Sequence, residues 1–228
     1  MAAAKTAQRR RDLLEATSRI ISERGLSGVS VRAVAERAQV SAGSVLYHFE
    51  SFDQLVEAAV RGAIREFIDT RRAVAEGHRD PIDRLRATIH AGIPERISDD
   101  LRVVYEASAV VREQPRFRLD IALLLERQVA LYTSIIDVGV ALGAFSPRMG
   151  VPAIAANLVA LEDAYDLYLL DPDNWQRETY LSNTLQFAEI ALGCRLSGEP
   201  PTASTAAPAA STAAPTASTA ATDPEETE

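Results

Sequence analysis

The segment from Ser30 to Phe49, SVRAVAERAQVSAGSVLYHF, constrains the fold of this chain more than any other feature. Ser30 is a good N-cap, and the apolar residues that follow it fall on one face of a short helix. Gln39 and Val40 interrupt this periodicity, and Ser41 can cap a second short helix. The segment therefore predicts two short helices joined by a tight turn.

The second predicted helix begins with a first turn that has no bulk, formed by Ala42, Gly43 and Ser44. Ser44, Tyr47 and His48 lie on faces that can meet a phosphate backbone with hydroxyl or imidazole donors. In a helix-turn-helix, the second helix enters the major groove with its N-terminal residues on base edges. The pattern therefore predicts contact with DNA, which a generic helical hairpin would not need.

The same stretch also contains apolar residues that should pack inward. We expect Val45, Leu46 and Phe49 to lean back on the first helix of the pair. Tyr47 and Phe49 admit a second interpretation as plain core aromatics. His48 has no Ser, Cys or carboxylate partner at a recognisable catalytic spacing, so we predict no catalytic residue here.

Residues 8 to about 61 resemble the N-terminal domain of TetR-family transcriptional regulators. The resemblance rests on four features of the sequence: Gly25 after the first helix, the run from Ala35 to Ala38, the Val40-Ser41 turn, and Tyr47-His48-Phe49. It implies a DNA-binding fold of three helices followed by a larger helical domain. Phe52 stands where the family commonly has a lysine beside a backbone phosphate.

The resemblance also implies which residues touch DNA. Ser41, Ala42, Gly43 and Ser44 would face the groove, and Tyr47 and His48 would hold phosphates. We add Arg32, a basic residue of the first short helix, to the predicted DNA contacts. The expected partner is double-stranded operator DNA, and the expected function is that of a repressor released by a small-molecule effector.

The charge of the chain is divided unevenly along its length. The net charge is −8, yet residues 1–49 hold eight Lys or Arg and four acids, a net charge of +4. The remaining residues hold 16 basic and 28 acidic groups, a net charge of −12. This division predicts a positive field confined to the N-terminal motif and an acidic remainder that repels DNA.

The length of 228 residues and the hydrophobic content of 47% favour two domains and a tail. We predict a DNA-binding head at residues 8–67, with its motif at 30–49, and an effector-binding and dimerisation body at 68–196. Residues 197–228 are rich in Ala, Thr, Ser and Pro, so we predict a disordered tail there.

Three consecutive arginines, Arg9, Arg10 and Arg11, precede the first apolar stripe. They could form a flexible arm that reaches the minor groove or the phosphates. They could equally be an ordinary solvated terminus. The sequence leaves both interpretations open.

Several other protein classes are disfavoured by the sequence. No apolar run has the length of a signal peptide core or a bilayer span, and the single cysteine, Cys194, excludes a cysteine-based zinc cluster. No P-loop, dinucleotide fingerprint, zinc-protease motif or nucleophile elbow is present. We therefore expect a cytoplasmic, non-enzymatic protein without metal or cofactor, the alternative being a helical scaffold whose N-terminal hairpin contacts protein.

Helical periodicity continues through the rest of the chain and predicts an all-α fold. A capping box of Ser51 and Gln54 opens a long helix to about Arg72. Further helices are expected at five places: Pro81 toward Glu95, a helix capped by Ser98 to about Val111, Pro115 to about Leu142, about 152–170 and about 174–192.

The last two predicted helices are separated by the turn Asp171-Pro172-Asp173 and should form an antiparallel hairpin. In the family, a corresponding pair packs on its two-fold mate, so the resemblance implies a homodimer, which a palindromic operator requires. Leu181, Leu185, Ala188 and Leu192 form a stripe that could pack on the partner or in the core of one chain.

A set of aromatic residues in the body could line an apolar effector cavity or belong to the core: Tyr105, Phe117, Tyr132, Tyr165 and Tyr168. More unusual are four acids in apolar surroundings: Glu106, Glu162, Asp163 and Asp166. Pairs of these carboxylates share a helix face, which predicts a cationic or amine-bearing effector. Alternatively, they face solvent or pair with arginines such as Arg112 or Arg127.

Overall fold

The structure is a computed structural model that describes residues 2–170 and 176–196. Within these ranges the chain is helical apart from its connections, which confirms the predicted all-α fold. The α-helices of these ranges are α1 Ala2–Arg24, α2 Val31–Arg37, α3 Ala42–Tyr47, α4 Phe52–Glu76, α5 Pro81–Gly92, α6 Asp99–Ala109, α7 Arg118–Ala141, α8 Val151–Asp166 and α9 Arg177–Leu192. The predicted turn at 171–173 and the predicted tail at 197–228 lie outside the described residues.

The ends of the first three helices follow from local chemistry. Gly25 ends α1 with φ 70°, a left-handed conformation that glycine adopts without steric cost. The Ser30 hydroxyl caps α2 by accepting from the Ala33 N–H at 3.1 Å, and Ser41 caps α3 by accepting from Ser44 N–H at 3.2 Å. The two caps predicted from the sequence are confirmed.

The cap of α4 differs in one detail from the predicted capping box. Ser51 Oγ accepts from Gln54 N–H at 3.1 Å, as predicted. The Gln54 side chain, however, accepts from the N–H of Glu50 at 2.9 Å rather than from that of Ser51. The helix then continues to Glu76, beyond the predicted end at Arg72.

Three body helices differ from their predicted bounds. Helix α5 stops at Gly92 because the following Ile93 precedes a proline, which disfavours helical backbone. Helix α6 is capped by Ser98 as predicted, with a bond to Leu101 N–H at 3.1 Å, but ends at Ala109. Pro115 opens a 3-10 turn, Pro115–Phe117, and α7 begins only after it.

Helix α4 takes part in the apolar packing of both domains. Leu55 packs in the head core with residues of α1, α2 and α3. Ala63 and Ile68 pack in a junction core with α1, α6 and α7, and Ala75 packs in the body core. The predicted boundary between residues 67 and 68 therefore falls inside one continuous helix.

The body core lies between α5, α7, α8 and α9. Leu181, Ala188 and Leu192 are buried in it, and Leu185 is half-buried against it. The stripe predicted on the last helix thus serves the core of one chain. In the described part of the chain, no helix combines the length and apolar character needed to cross a bilayer.

Candidate functional site

The surface of α3 separates exposed residues from buried ones. Tyr47 is 83% exposed, whereas Val45 and Phe49 are only 1% and 5% exposed and pack in the head core. Ser41, Ala42 and Gly43 are exposed as well, and Ser44 and His48 are half-buried. The interpretation of Tyr47 as a core aromatic is therefore wrong, while the same interpretation holds for Phe49.

One predicted packing residue lies on the other side of this helix. Leu46 is 49% exposed, so the prediction that it packs inward is wrong. Each helical residue turns by about 100°, and Val45 and Phe49, four residues apart, already define the inward face. Leu46 follows Val45 directly and falls toward the exposed Tyr47.

The tip of α3 leaves room for a close neighbour. A Cβ atom built on Gly43 would meet only the Ser41 hydroxyl, at 3.9 Å. Among the described residues, nothing else lies within 4 Å of this Cβ, so a side chain at this position would begin in open space. Because Ala42 and Gly43 are small and exposed, a surface as large as a DNA groove can approach the backbone here.

Some arginines near this face are paired with protein acids, and others are exposed. Arg37 makes two hydrogen bonds to Glu23, one of them at 2.7 Å, whereas Arg32 on α2 is exposed. Arg10 lies in α1 with its guanidinium carbon 4.8 Å from the centre of the Phe49 ring. The flexible-arm interpretation is thus wrong, since a helix holds Arg10 beside the end of α3.

Sequence reasoning missed the contact between Arg10 and Phe49. It treated this residue only as one of three terminal arginines, because the contact with Phe49 joins two distant segments.

Together, the packed head and its exposed, small-tipped α3 define a protein of the helix-turn-helix class.

Comparisons with known proteins agree with this class. Residues 13–59 match the family described as bacterial regulatory proteins of the tetR family. The transcriptional regulator BetI of Burkholderia cenocepacia is 42% identical over 89 residues, which cover 38% of this chain and 45% of that protein. The transcriptional repressor KstR2 of Mycobacterium tuberculosis is 27% identical over 148 residues, covering 64% and 74%. The chain thus spans less than half the length of the BetI relative.

A solved structure extends the likeness to the whole fold. The crystal structure of a Rhodococcus protein assigned to the TetR family has a TM-score of 0.68 and 26% identity. The match covers 82% of this chain and 99% of that one. These matches show that the N-terminal domain is of the TetR-family type, and the solved structure shares the fold of this chain over most of its length.

In the body, the predicted acid Glu162 lies in a buried network. Its Oε2 accepts from Arg71 Nη2 at 2.7 Å, and its Oε1 accepts from the Tyr132 hydroxyl. Arg71 and Glu162 have side chains only 5% and 1% exposed. Gly92 makes room for this carboxylate, because a Cβ built there would lie 1.8 Å from Glu162 Oε1.

The protonation of this network follows from its burial. Burial alone would lower the pKa of Arg71, but the adjacent Glu162 carboxylate raises it above its ordinary value, so Arg71 stays charged. Burial raises the pKa of Glu162, and Arg71 and Tyr132 oppose that rise. Glu162 is therefore held by protein partners rather than left open to a ligand.

Asp166 also has a protein partner. The Tyr105 hydroxyl donates to Asp166 Oδ2 at 2.6 Å. Burial raises the pKa of Asp166 to about 7, although the hydrogen bond from Tyr105 opposes the rise. Burial and the same carboxylate raise the pKa of Tyr105.

Glu106 contacts the head in addition to lining a cavity. Its Oε2 accepts from the backbone N–H of Leu26 at 3.2 Å, in the turn that follows α1. Ser22 and Asp99 add a second contact between head and body at 2.7 Å. Glu106 thus connects α6 to the DNA-binding head.

The predicted aromatic residues do not line one cavity. Phe117 and Tyr132 are fully buried in different cores, and Tyr165 and Tyr168 stack on Tyr180 with ring centroids 4.5 and 5.6 Å away. Tyr105 lines two cavities of about 360 and 290 Å³. Glu106 lines the first of them, and Asp163 and Gln128 line the second.

Sequence reasoning also missed Arg71 as the partner of Glu162 and named Arg112 and Arg127 instead. A signal was present, because Arg71 shares a helical stripe with Ile64, Ile68 and Ala75 at positions i, i+4, i+7 and i+11. A charged residue within such a stripe requires a buried partner. Among residues 2–170 and 176–196, no cluster of three metal-ligating side chains occurs.

Proposed function

We propose that this protein binds operator DNA as a homodimer and represses transcription until a small molecule binds its body. The observation that carries the proposal is the exposed, small-tipped face of α3 on a packed three-helix head. The positive charge of residues 1–49, set against an acidic remainder, supports the same function. The proposed site of action is the cytoplasm, and the proposed role involves no catalysis.

The proposed DNA contacts are the residues on and beside α3: Arg32, Ser41, Ala42, Gly43, Ser44, Tyr47 and His48, together with Arg10. Tyr47 and His48 would donate to phosphates, and the two arginines would add charge. Ala42 and Gly43 have no hydrogen-bonding side chains, so base preference would come from backbone contacts, methyl contacts or DNA shape.

The test is a mobility-shift titration of the full chain against its own upstream intergenic DNA, with scrambled DNA of equal length as control. We expect a specific complex with two protomers per site that weakens steeply as salt rises. Absence of any preference, both for this DNA and for fragments of the whole genome, would contradict the proposal and favour the scaffold alternative.

A matched pair of variants isolates the tip of α3. Gly43→Leu places a large side chain in open space outside the head, so we expect an intact fold and loss of DNA binding. Gly62→Leu is the control, since a Cβ on Gly62 of α4 also meets nothing within 4 Å. Equal DNA affinity of the two variants would contradict the placement of Gly43 at the groove.

The proposed dimer uses α8 and α9, as the family resemblance implies. The stripe of Leu181, Ala188 and Leu192 is committed to the core, so the partner must meet the opposite faces of these helices. Ile190 on α9 is 70% exposed, and Ala156 and Ala160 on α8 are exposed small residues. A four-helix bundle through these faces would hold two heads about one helical turn of DNA apart, roughly 34–36 Å.

Light scattering after size-exclusion chromatography tests this interface. We expect Ile190→Glu to give a monomer, because a charge buried in an apolar interface is costly. Leu119→Glu is the control, since Leu119 is 68% exposed at the start of α7, away from the proposed interface. A dimer that survives Ile190→Glu would place the interface elsewhere.

The effector class needs revision from the sequence-based hypothesis. A cationic effector at Glu162 or Asp166 would have to displace Arg71 from the first acid or Tyr105 from the second. Asp163 lines a cavity beside Gln128, its hydrogen-bond partner, and a cationic effector is proposed only at that residue. A different cavity of the body is lined mainly by arginines, which favour an anion instead.

A further inference from the structure

A third cavity, with a volume of about 380 Å³, lies between α4, α5 and α7. Ligand pockets for small molecules have volumes of roughly 300–1,000 Å³, so this cavity can hold one. Four arginines line it, Arg71, Arg72, Arg84 and Arg127, against one carboxylate, that of Glu76. The remainder of the chain after residue 49 carries a net charge of −12, so this concentration of positive charge runs against the trend of the body.

The donors of these arginines are only partly used. Arg84 gives Nε and Nη2 to the carbonyl oxygen of His78, at 2.9 and 2.8 Å, which leaves its Nη1. Arg72 makes one long contact of 3.4 Å to Asp69. Arg127 forms no ion pair with any residue in the described ranges and is exposed at the edge of the cavity.

Arg71 supplies an independent observation at the same place. Its Nη2 is bound to Glu162, but its Nε is buried and has no hydrogen-bond partner among the described residues. An unpaired donor on a buried charged group is costly, so such groups usually have a function or a missing partner. Because this Nε has almost no accessible surface, a ligand in the cavity would first meet the exposed Arg127 and the Nη1 of Arg84, with the buried charge of Arg71 beside them.

The rest of the lining is apolar. Ile68, Ala75, Leu131 and Ile135 form one side of the cavity, and Ser134 adds a hydroxyl. Apolar lining with a few charged groups at one place fits a ligand that has an apolar tail and one charged head. Because guanidinium groups bind carboxylate and phosphate in matching geometry, the head should be an anion of that kind.

We propose that the cavity between α4, α5 and α7 binds an amphipathic anion, with a carboxylate or phosphate head held by Arg84 and Arg127 beside the charged Arg71. Anion binding at this cavity does not depend on the proposed DNA-binding function. The effect of the anion on DNA binding, however, rests on that proposed function. The occupant touches the second half of α4, whose first half packs in the head core, so it can bias the position of the head.

The test is calorimetric titration of the full chain with four probes that share a ten-carbon tail: decanoate, decyl phosphate, decanol and decyltrimethylammonium. We expect the two anions to bind at least about tenfold more tightly than decanol, since hydrogen bonds to charged groups are the stronger ones. The ratio between decanoate and decyl phosphate identifies the preferred head. Equal binding of decanol, or tighter binding of the cation, would overturn the proposal.

Variants separate a ligand-binding role from a structural one. Arg127→Gln should weaken decanoate binding about tenfold and leave decanol binding unchanged, because Arg127 is exposed and unpaired among the described residues. Arg118→Gln is the control on the same helix, since Arg118 is exposed and does not line this cavity. Decanoate affinity that is the same in both variants would overturn the proposal.

The two proposals fail separately. Charge-dependent decanoate binding by a protein without specific DNA binding would remove the proposed function and support the anion site. Specific DNA binding by a protein that takes neither anion would remove the anion site and leave the proposed function.

Discussion

Glu106 of α6 holds the turn at the end of α1, because its Oε2 accepts the Leu26 N–H at 3.2 Å. A Cβ atom built on the neighbouring Gly25 would lie only 2.8 Å from the same oxygen. The body carboxylate and the head backbone therefore fit closely. A side chain larger than that of glycine at position 25 would therefore collide with Glu106.

Gly25→Ala should destabilise the protein by about 1–2 kcal/mol. The residue has φ 70°, which costs an L-residue about that amount, and the added methyl group would push against Glu106. Urea denaturation measures the loss. Gly62→Ala is the control, since it lies inside α4 in open space and should stabilise by about 0.5–1 kcal/mol. A neutral Gly25→Ala would contradict the strain argument.

Tyr47→Phe should weaken DNA binding to all sequences by a similar factor and leave stability unchanged. The side chain is 83% exposed, so its hydroxyl does not support the fold, and loss of one hydrogen bond to a charged phosphate costs roughly 1.5–3 kcal/mol. Fluorescence anisotropy with specific and scrambled DNA measures the effect. Tyr168→Phe, another exposed tyrosine at 52%, should bind DNA as the wild type does.

Arg71→Met should lower the free energy of unfolding by roughly 3–5 kcal/mol, because it leaves Glu162 as an unpaired buried charge. The double variant Arg71→Met with Glu162→Met should cost less than the sum of the two single changes. Urea denaturation of the four proteins tests this coupling.

The adjacent Arg72→Met is the control for that experiment. Its ion pair with Asp69 is exposed and should contribute about 0–1 kcal/mol. Strict additivity of the two single changes in the buried network would mean that Arg71 and Glu162 do not depend on each other.

Asp166→Asn should change how stability depends on pH. Burial raises the folded-state pKa of Asp166 to about 7 from its ordinary value of 3.8, so the native state keeps a proton that the unfolded chain releases. As the pH rises from 3.8 to about 7, the wild type should therefore lose stability relative to the variant, by about 1.4 kcal/mol per pH unit at most. Denaturation at several pH values measures the slope.

A charge-removal control accompanies the pH series. Asp69→Asn removes an acid that is 64% exposed on α4 and should keep the slope of the wild type. A wild type whose stability rises relative to Asp166→Asn over the same window would contradict the raised pKa.

The sequence predicted those parts of the fold that depend on neighbouring residues. Ser30, Ser41 and Ser98 cap the helices that they were expected to cap, since a cap bonds to an N–H only three residues away. The bounds of α4 and α7 differ from the predicted ones, because terminal turns are often 3-10, as at Pro115–Phe117, and helix ends are the least regular parts of a helix.

Contacts between distant segments could not be predicted in the same way. Arg71 and Glu162 are 91 positions apart, and Arg10 and Phe49 belong to different parts of the head. An isolated sequence shows that a buried charge needs a partner but not which residue supplies it. For this reason the acids of α8 suggested a cationic ligand, whereas the structure gives all three of them protein partners.

The continuity of α4 limits how such a chain can be altered. Leu55 and Ala75 pack in different cores, and their separation of 20 positions spans about 30 Å of unbroken helix at 1.5 Å per residue. Inserting or deleting one residue in this stretch would turn the head about 100° around the helix axis relative to the body. A chimera that exchanges heads between such proteins must therefore be joined within the helix with its residue count preserved, because no loop separates the two halves.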